Sequence, residues 1–217
     1  MTDFERARKV MVDNQLRPAG ITDRRVLAAM GEIARERFVP EVRRGLAYSD
    51  AALSLNGTRK LGAPTPFGKL VQLAAVEGTE TVLDLGCATG YSAAVLGRLA
   101  HSVVAVESDA ALAAAARTTL AALGIDNVTV IEGPIETAGK SRGPYDVILI
   151  EGTVAEVPDA LLGQLAPEGR LVALIARDGR PGVAHLVARS GKRVASRATF
   201  DARLPPLAPQ NDDSFVF

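Results

Sequence analysis

A single α/β domain built on a mostly parallel, twisted sheet is what this sequence predicts, and three observations carry the prediction. From Thr79 onward, short apolar runs alternate with helical stretches, the pattern of strands buried on both faces by crossover helices. The first run ends in Asp84-Leu85-Gly86-Cys87-Ala88-Thr89-Gly90, whose small residues let the backbone turn sharply from strand into helix. The last two runs, 184–189 and 193–200 around Gly191-Lys192, read as a hairpin that adds antiparallel edge strands.

The elements follow in order. Phe4, Ala7, Val10 and Met11 recur at helical spacing with Arg6, Arg8 and Lys9 opposite, so residues 2–16 are expected to be helical until Pro18 and Gly20. Thr22 stands where an N-cap belongs, with Asp23 in the first turn and Val26, Leu27, Met30 and Ile33 as the apolar stripe of a helix over 23–34. Turn formers Asn56, Gly57, Gly62, Pro64 and Pro66 make 47–66 a loop with short strands, and a helix is expected at 67–75. Residues 1–78 are thus expected to form a helical cap and a loop of the same domain, and 79–217 its α/β part. In the latter, strands are expected at 81–85, 102–106, 127–131, 145–150 and 169–176. Helices are expected at 91–99, at 109–123 (closed by Gly124) and, briefly, at 161–165.

Composition narrows the function. A chain of 217 residues buries a core without staples. Aromatics are only 4% and Trp is absent, so aliphatic side chains and Ala must do the packing. Lys plus Arg and Asp plus Glu both number 25, and this balance disfavours a nucleic-acid partner. Cys87 is the sole cysteine and can form no internal disulfide, which fits a reducing compartment. The charged stretch 3–9 is unlike a signal peptide, and no apolar run approaches the roughly 18 residues of a membrane span. A cytoplasmic monomer or homodimer without membrane partner is expected. His101 and His185 have no partners at ligand spacing, so no metal is expected.

The glycine turn indicates the ligand, which in open α/β sheets sits at the carboxyl ends of the strands. A dinucleotide turn, G-x-G-x-x-G, needs glycines where Ala88 and Tyr91 stand. The methyl-donor pattern, an acid two residues before G-x-G-x-G, matches at Asp84, Gly86 and Gly90, with small Ala88 in the middle. Asp84 suits the ammonium of S-adenosylmethionine, and Cys87 reads as a small residue lining it. Glu107, followed by Ser108, ends the next strand, where a carboxylate accepts both ribose hydroxyls in charge-assisted bonds. NAD enzymes use the same acid, so Glu107 supports an adenosine without choosing between the two.

Further segments carry a resemblance. Arg35-Glu36-Arg37-Phe38-Val39-Pro40, Ala47-Tyr48-Ser49-Asp50, Val82-Leu83-Asp84-Leu85-Gly86, Gly90-Tyr91-Ser92 and Leu165-Ala166-Pro167-Glu168-Gly169 resemble protein-L-isoaspartate O-methyltransferases over nearly the whole chain. The resemblance implies a Rossmann-like class I methyltransferase fold and S-adenosylmethionine as cofactor. It also implies methyl esterification of isoaspartyl carboxylates in damaged proteins or peptides. Such a carboxylate is ionised at neutral pH and needs no general base, so catalysis reduces to alignment.

Three positions depart from the family. Its active-site serine falls on Gly62, or on Pro64 in an alternative register, with Thr65 the nearest hydroxyl. Its acid for the adenine amine is replaced within Gly133-Pro134-Ile135, which leaves backbone groups and apolar contact. Glu151 ends the fourth strand in place of small neutral residues, and repels an anionic nucleophile unless it points away or is protonated. Gly62, Thr65 and Glu151 are therefore the acceptor-side candidates, and Glu151 also borders the cofactor. A different methyl acceptor, or donor binding without turnover, are the competing readings.

Overall fold

The computed structural model describes residues 2–176 and 181–207; residues 177–180 and 208–217 of the expected α/β part lie outside them. Helix α1 (Asp3–Met11) opens on a capping box, Thr2 Oγ1 accepting from the Glu5 amide and Glu5 from the Thr2 amide. It runs on as a wider π-turn over Val12–Leu16. Met11, Val12 and Leu16 are buried, whereas Val10 of the expected stripe faces outward.

Helix α2 (Arg24–Glu32) is capped by Asp23, whose Oδ1 accepts from the Arg25 amide, and not by Thr22. The backbone N–H of Thr22 donates instead to Gln72 of helix α3 (Pro64–Ala74) at 2.7 Å. Gln72 Oε1 accepts from the Asp23 amide as well, at 2.9 Å, and so fixes the approach to the helix, while Asp23 takes the cap. Helix α3 starts at Pro64 rather than at 67, because Pro suits a first turn that needs no N–H, and Asp50 Oδ1 accepts from the Thr65 amide. The loop before it holds the short antiparallel strands β1 (Leu53–Ser54) and β2 (Lys60–Leu61).

The remaining strands are β3 (Thr81–Leu85), β4 (Ser102–Glu107), β5 (Val128–Glu132), β6 (Tyr145–Val154), β7 (Leu165–Ile175), β8 (Gly182–Ser190) and β9 (Arg193–Ala202). They form one sheet in the order β5-β4-β3-β6-β7-β8-β9, parallel through β7, with the expected antiparallel hairpin at the edge. The chain builds outward from β3 to β5, then restarts on the other side with β6. The crevice between β3 and β6 is therefore a topological switch point, where such sheets bind ligands.

Val82 faces a core shared with Phe67, Leu70, Tyr91 and Val95, whereas Leu83 and Leu85 face Leu161, Leu165 and Leu171. The sheet is thus covered on both faces, as the continuous apolar runs require. Helix α4 (Tyr91–Gly97) leaves the glycine turn, and α5 (Ala110–Ala122) covers β4 and β5. The expected helix over 161–165 is divided: α6 (Asp159–Leu162) is short, and Leu165 already pairs with Tyr145 in β7. Strand β6 outruns its expected end: past a register break between Leu149 and Thr153, Thr153 and Val154 pair again with Leu174 and Ile175 of β7, and Thr153 also bridges to Pro206. Among the described residues, no helix is long and apolar enough to cross a membrane.

Asp109 caps α5, its Oδ1 accepting from the Ala111 and Leu112 amides and its Oδ2 from Asn56 Nδ2 at 2.9 Å. Asp109→Ala removes both and should cost about 1–2 kcal/mol. Thermal denaturation checks this through a fall in Tm of several degrees.

Candidate active site

The turn after β3 needs three left-handed residues in five positions: Gly86 (φ 83°), Ala88 (φ 49°) and Gly90 (φ 94°). Glycine takes this conformation freely, while Ala88 does so at a cost of roughly 1 kcal/mol. The gain is that the Ala88 amide is turned toward Glu107, which accepts from it at 2.8 Å. Gly90 has its bare face against α5, where a Cβ would come 3.1 Å from that of Ala116. Its absence of a side chain thus serves helix packing. Thr89 Oγ1 donates to the Phe38 carbonyl at 2.6 Å and ties the turn to the N-terminal cap.

The cap has its own polar frame. Arg35 is fully buried; its Nε donates to the Ala47 carbonyl and its Nη2 to the Gly62 carbonyl, so it holds the acceptor-side loop. Its guanidinium stacks on the Tyr91 ring, 4.6 Å from the centroid. Arg8 donates to Tyr48 Oη at 2.9 Å, and Tyr48 in turn donates to Glu36. The Arg-Glu-Arg-Phe and Ala-Tyr-Ser segments are thereby one interlocked unit.

Asp84 and Glu107 both come to the carboxyl ends of their strands, and both side chains are sealed from solvent. Asp84 Oδ2 accepts from Ser92 Oγ at 2.7 Å, while Oδ1 has no partner. Burial pushes the Asp84 carboxyl up to about 7, against the Ser92 hydrogen bond and with help from the negative charge of Glu107. Glu151 Oε1 is likewise buried without a partner. Burial first, then the charge of Asp84, push it well above the usual carboxylate range, while Arg35 and Arg59 pull the other way. That favours the protonated acid, so Glu151 need not repel an anionic acceptor. Cys87 is also pushed well up, by burial and by Asp84, Glu107 and Glu151, and it lines the turn as an unreactive thiol.

Glu107 is differently placed from what a free ribose ligand requires. Its Oε1 accepts from the Ser108 and Asp109 amides, and its Oε2 from the Ala88 amide and from Arg59 Nη2 at 2.9 Å. A carboxylate offers about four acceptor positions, and all are taken. Arg59 is the partner that sequence reasoning missed: Arg59-Lys60 among turn formers carries no motif. Leu207 was missed as well, although its side chain lies where a Cβ on Gly86 would have to go.

On the acceptor side, Gly62 has Leu204 packed into its hollow, and Thr65 is half-buried at the start of α3. Gly133 is bound through its amide to the Glu107 carbonyl, and Pro134 is exposed. Ile135 lines an apolar cavity of about 400 Å³ with Ile150, Leu161 and Leu207. Ser108 is exposed and reaches Glu107 through its amide.

S-adenosylmethionine fits this arrangement in one half only. Its ammonium finds an unfilled acceptor in Asp84 Oδ1. Its ribose finds Glu107 saturated and the face of Gly86 covered, so the nucleoside half does not fit in this conformation.

Comparison with known proteins agrees over most of the chain. The family described as protein-L-isoaspartate(D-aspartate) O-methyltransferase (PCMT) matches residues 6–209. A protein-L-isoaspartate O-methyltransferase of Methanoregula boonei is 37% identical over 92% of this chain and 92% of its own. One from Koribacter versatilis is 37% identical over 95% and 93%. A solved protein-L-isoaspartate O-methyltransferase superposes with a TM-score of 0.80 at 26% identity over 92% of this chain, which spans 65% of that longer protein. A Plasmodium falciparum structure solved in complex with S-adenosyl-L-homocysteine shares the fold, with a TM-score of 0.78 at 22% identity over 93% and 98%.

Proposed function

The chain belongs to the protein-L-isoaspartate(D-aspartate) O-methyltransferase family, and from that premise we propose that it methylates the carboxylate of isoaspartyl residues in proteins. It is an S-adenosylmethionine-dependent methyltransferase; the cofactor, when bound, supplies an electrophilic methyl group. The observation that carries the site assignment is the convergence of Asp84, the 86–90 turn and Glu107 at the carboxyl ends of β3 and β4, beside the switch point. An ionised acceptor carboxylate has no proton to lose, so the chain's own residues have only to bind, orient and exclude water. Arg35 fits the orienting part: its Nη1 is buried without a partner, while its other nitrogens grip Ala47 and Gly62.

One observation favours a second acceptor class. The hollow at Gly62, where the family's serine would stand, is filled by Leu204, and no hydroxyl replaces it. Radiolabelled methyl transfer to an isoaspartyl peptide and its aspartyl twin separates the readings. Isoaspartyl repair predicts label on the first peptide alone. Label on neither peptide, with label on cell-extract components, transfers the assignment to a different acceptor. Gly62→Ser is expected to raise isoaspartyl turnover at least severalfold at a stability cost of about 1 kcal/mol, because only the flexible end of Leu204 must yield.

A further inference from the structure

The saturation of Glu107 and the covering of Gly86 have a common source. After β9, residues 204–207 cross the carboxyl ends of the strands as a strap. The Thr153 amide donates to the Pro205 carbonyl at 2.9 Å, the Leu207 amide to the Thr153 carbonyl at 3.0 Å, and Thr153 Oγ1 to the Leu204 carbonyl at 2.8 Å. The strap is seated on three bare glycine faces. A Cβ on Gly62 would come 2.6 Å from Leu204 Cδ2, one on Gly152 would come 3.0 Å from the Leu207 backbone, and one on Gly86 would overlap the Leu207 side chain. Leu204 and Leu207 are both buried.

Arg59 locks the strap from the other side of the crevice. Its Nη1 donates to the Leu207 carbonyl, its Nη2 to the Gly86 carbonyl at 2.9 Å and to Glu107. One guanidinium therefore binds the strap, the turn and the ribose carboxylate together. Leu207 also walls off the apolar cavity at Ile135 and Ile150 from the turn.

We propose that the 204–207 strap and Arg59 are an internal plug, seated in the cofactor crevice, that the methyl donor must displace in order to bind. Because Leu204 on the same strap fills the hollow at Gly62, displacement opens the donor and acceptor seats in one movement. Donor binding thereby prepares the acceptor seat. A plugged site lowers apparent affinity by the fraction of molecules that are open, so loosening the plug tightens binding without any new contact to the ligand.

The inference rests on the methyl-donor assignment, and the test separates the two. S-adenosylhomocysteine is titrated by calorimetry into the full chain and into Leu207→Ala, which deletes the side chain over Gly86 and leaves the strap's backbone bonds in place. Hydrogen exchange of the Thr153 and Leu207 amides is followed in the unmodified chain. The plug predicts binding roughly tenfold tighter for Leu207→Ala, on the scale of a lost buried leucine, and faster exchange of both amides once ligand is added. Equal affinities with both amides still protected overturn the plug and leave the donor assignment intact. Absence of binding to either protein overturns both.

Discussion

Replacing Glu107 by alanine is expected to cost the ligand-free protein about 3–5 kcal/mol, the range seen when one member of a buried ion pair is removed. The carboxylate is fully buried and accepts from the Ala88, Ser108 and Asp109 amides and from Arg59. Its loss leaves a nearly buried guanidinium without its anion and three amides without their acceptor. The left-handed Ala88 then has nothing to offset its strain. Urea denaturation measures the effect as a lower midpoint, and small domains carry only 5–15 kcal/mol in total, so partial unfolding without denaturant is within reach. Glu107→Gln, which keeps one acceptor oxygen, should cost less. An acid that waited free for a ribose would behave otherwise: its removal would change stability by no more than about 0.5 kcal/mol. A cost that small would remove the basis for the plug as well.

The sheet was legible because burial on both faces leaves uninterrupted apolar runs, and every strand from 81 onward was found near its expected place. The glycine turn was found where expected, left-handed at Gly86 and Gly90, whereas Glu107 is bound to Ala88 and Arg59, 19 and 48 positions away. What could not be read depends on partners far along the chain. The approach to α2 is held by Gln72, whose Oε1 accepts from the Thr22 and Asp23 amides across separations of 50 and 49 residues. Strand β6 ran past Ile150 because Thr153 and Val154 pair with Leu174 and Ile175 of β7, and Thr153 also bridges to Pro206. Arg59 meets Glu107 and Leu207 across separations of 48 and 148 residues, and neither spacing nor composition announces such a meeting. Gly62, Gly86 and Gly152 did carry a signal, since each leaves a hollow, but only the strap shows what fills all three.

The contribution of Asp84 and Glu151 to stability should fall as pH rises above about 4, with the share of Asp84 lost by about pH 7. An unfolded aspartate titrates near 3.9, whereas burial raises folded Asp84 to about 7. Between those values the native state holds a proton that the unfolded state has released, so it binds more protons and loses stability with rising pH. Glu151 is shifted in the same direction and feels Asp84, so the two titrate as a pair. The share of Asp84 alone is on the order of a few kcal/mol, at about 1.36 kcal/mol per unit. Asp84→Asn keeps the acceptor for Ser92 Oγ and removes the charge. It should be more stable than the parent at pH 8, little changed at pH 4, and flatter between. Asp84→Asn combined with Glu151→Gln should remove most of the slope contributed by this site. Urea titrations at pH 4, 6 and 8 decide the matter. A parent whose stability rises through that window, with the double variant running parallel to it, would mean that both carboxylates are ionised in the fold, paired with cations that leave no unfilled acceptor at Asp84 for a ligand's ammonium.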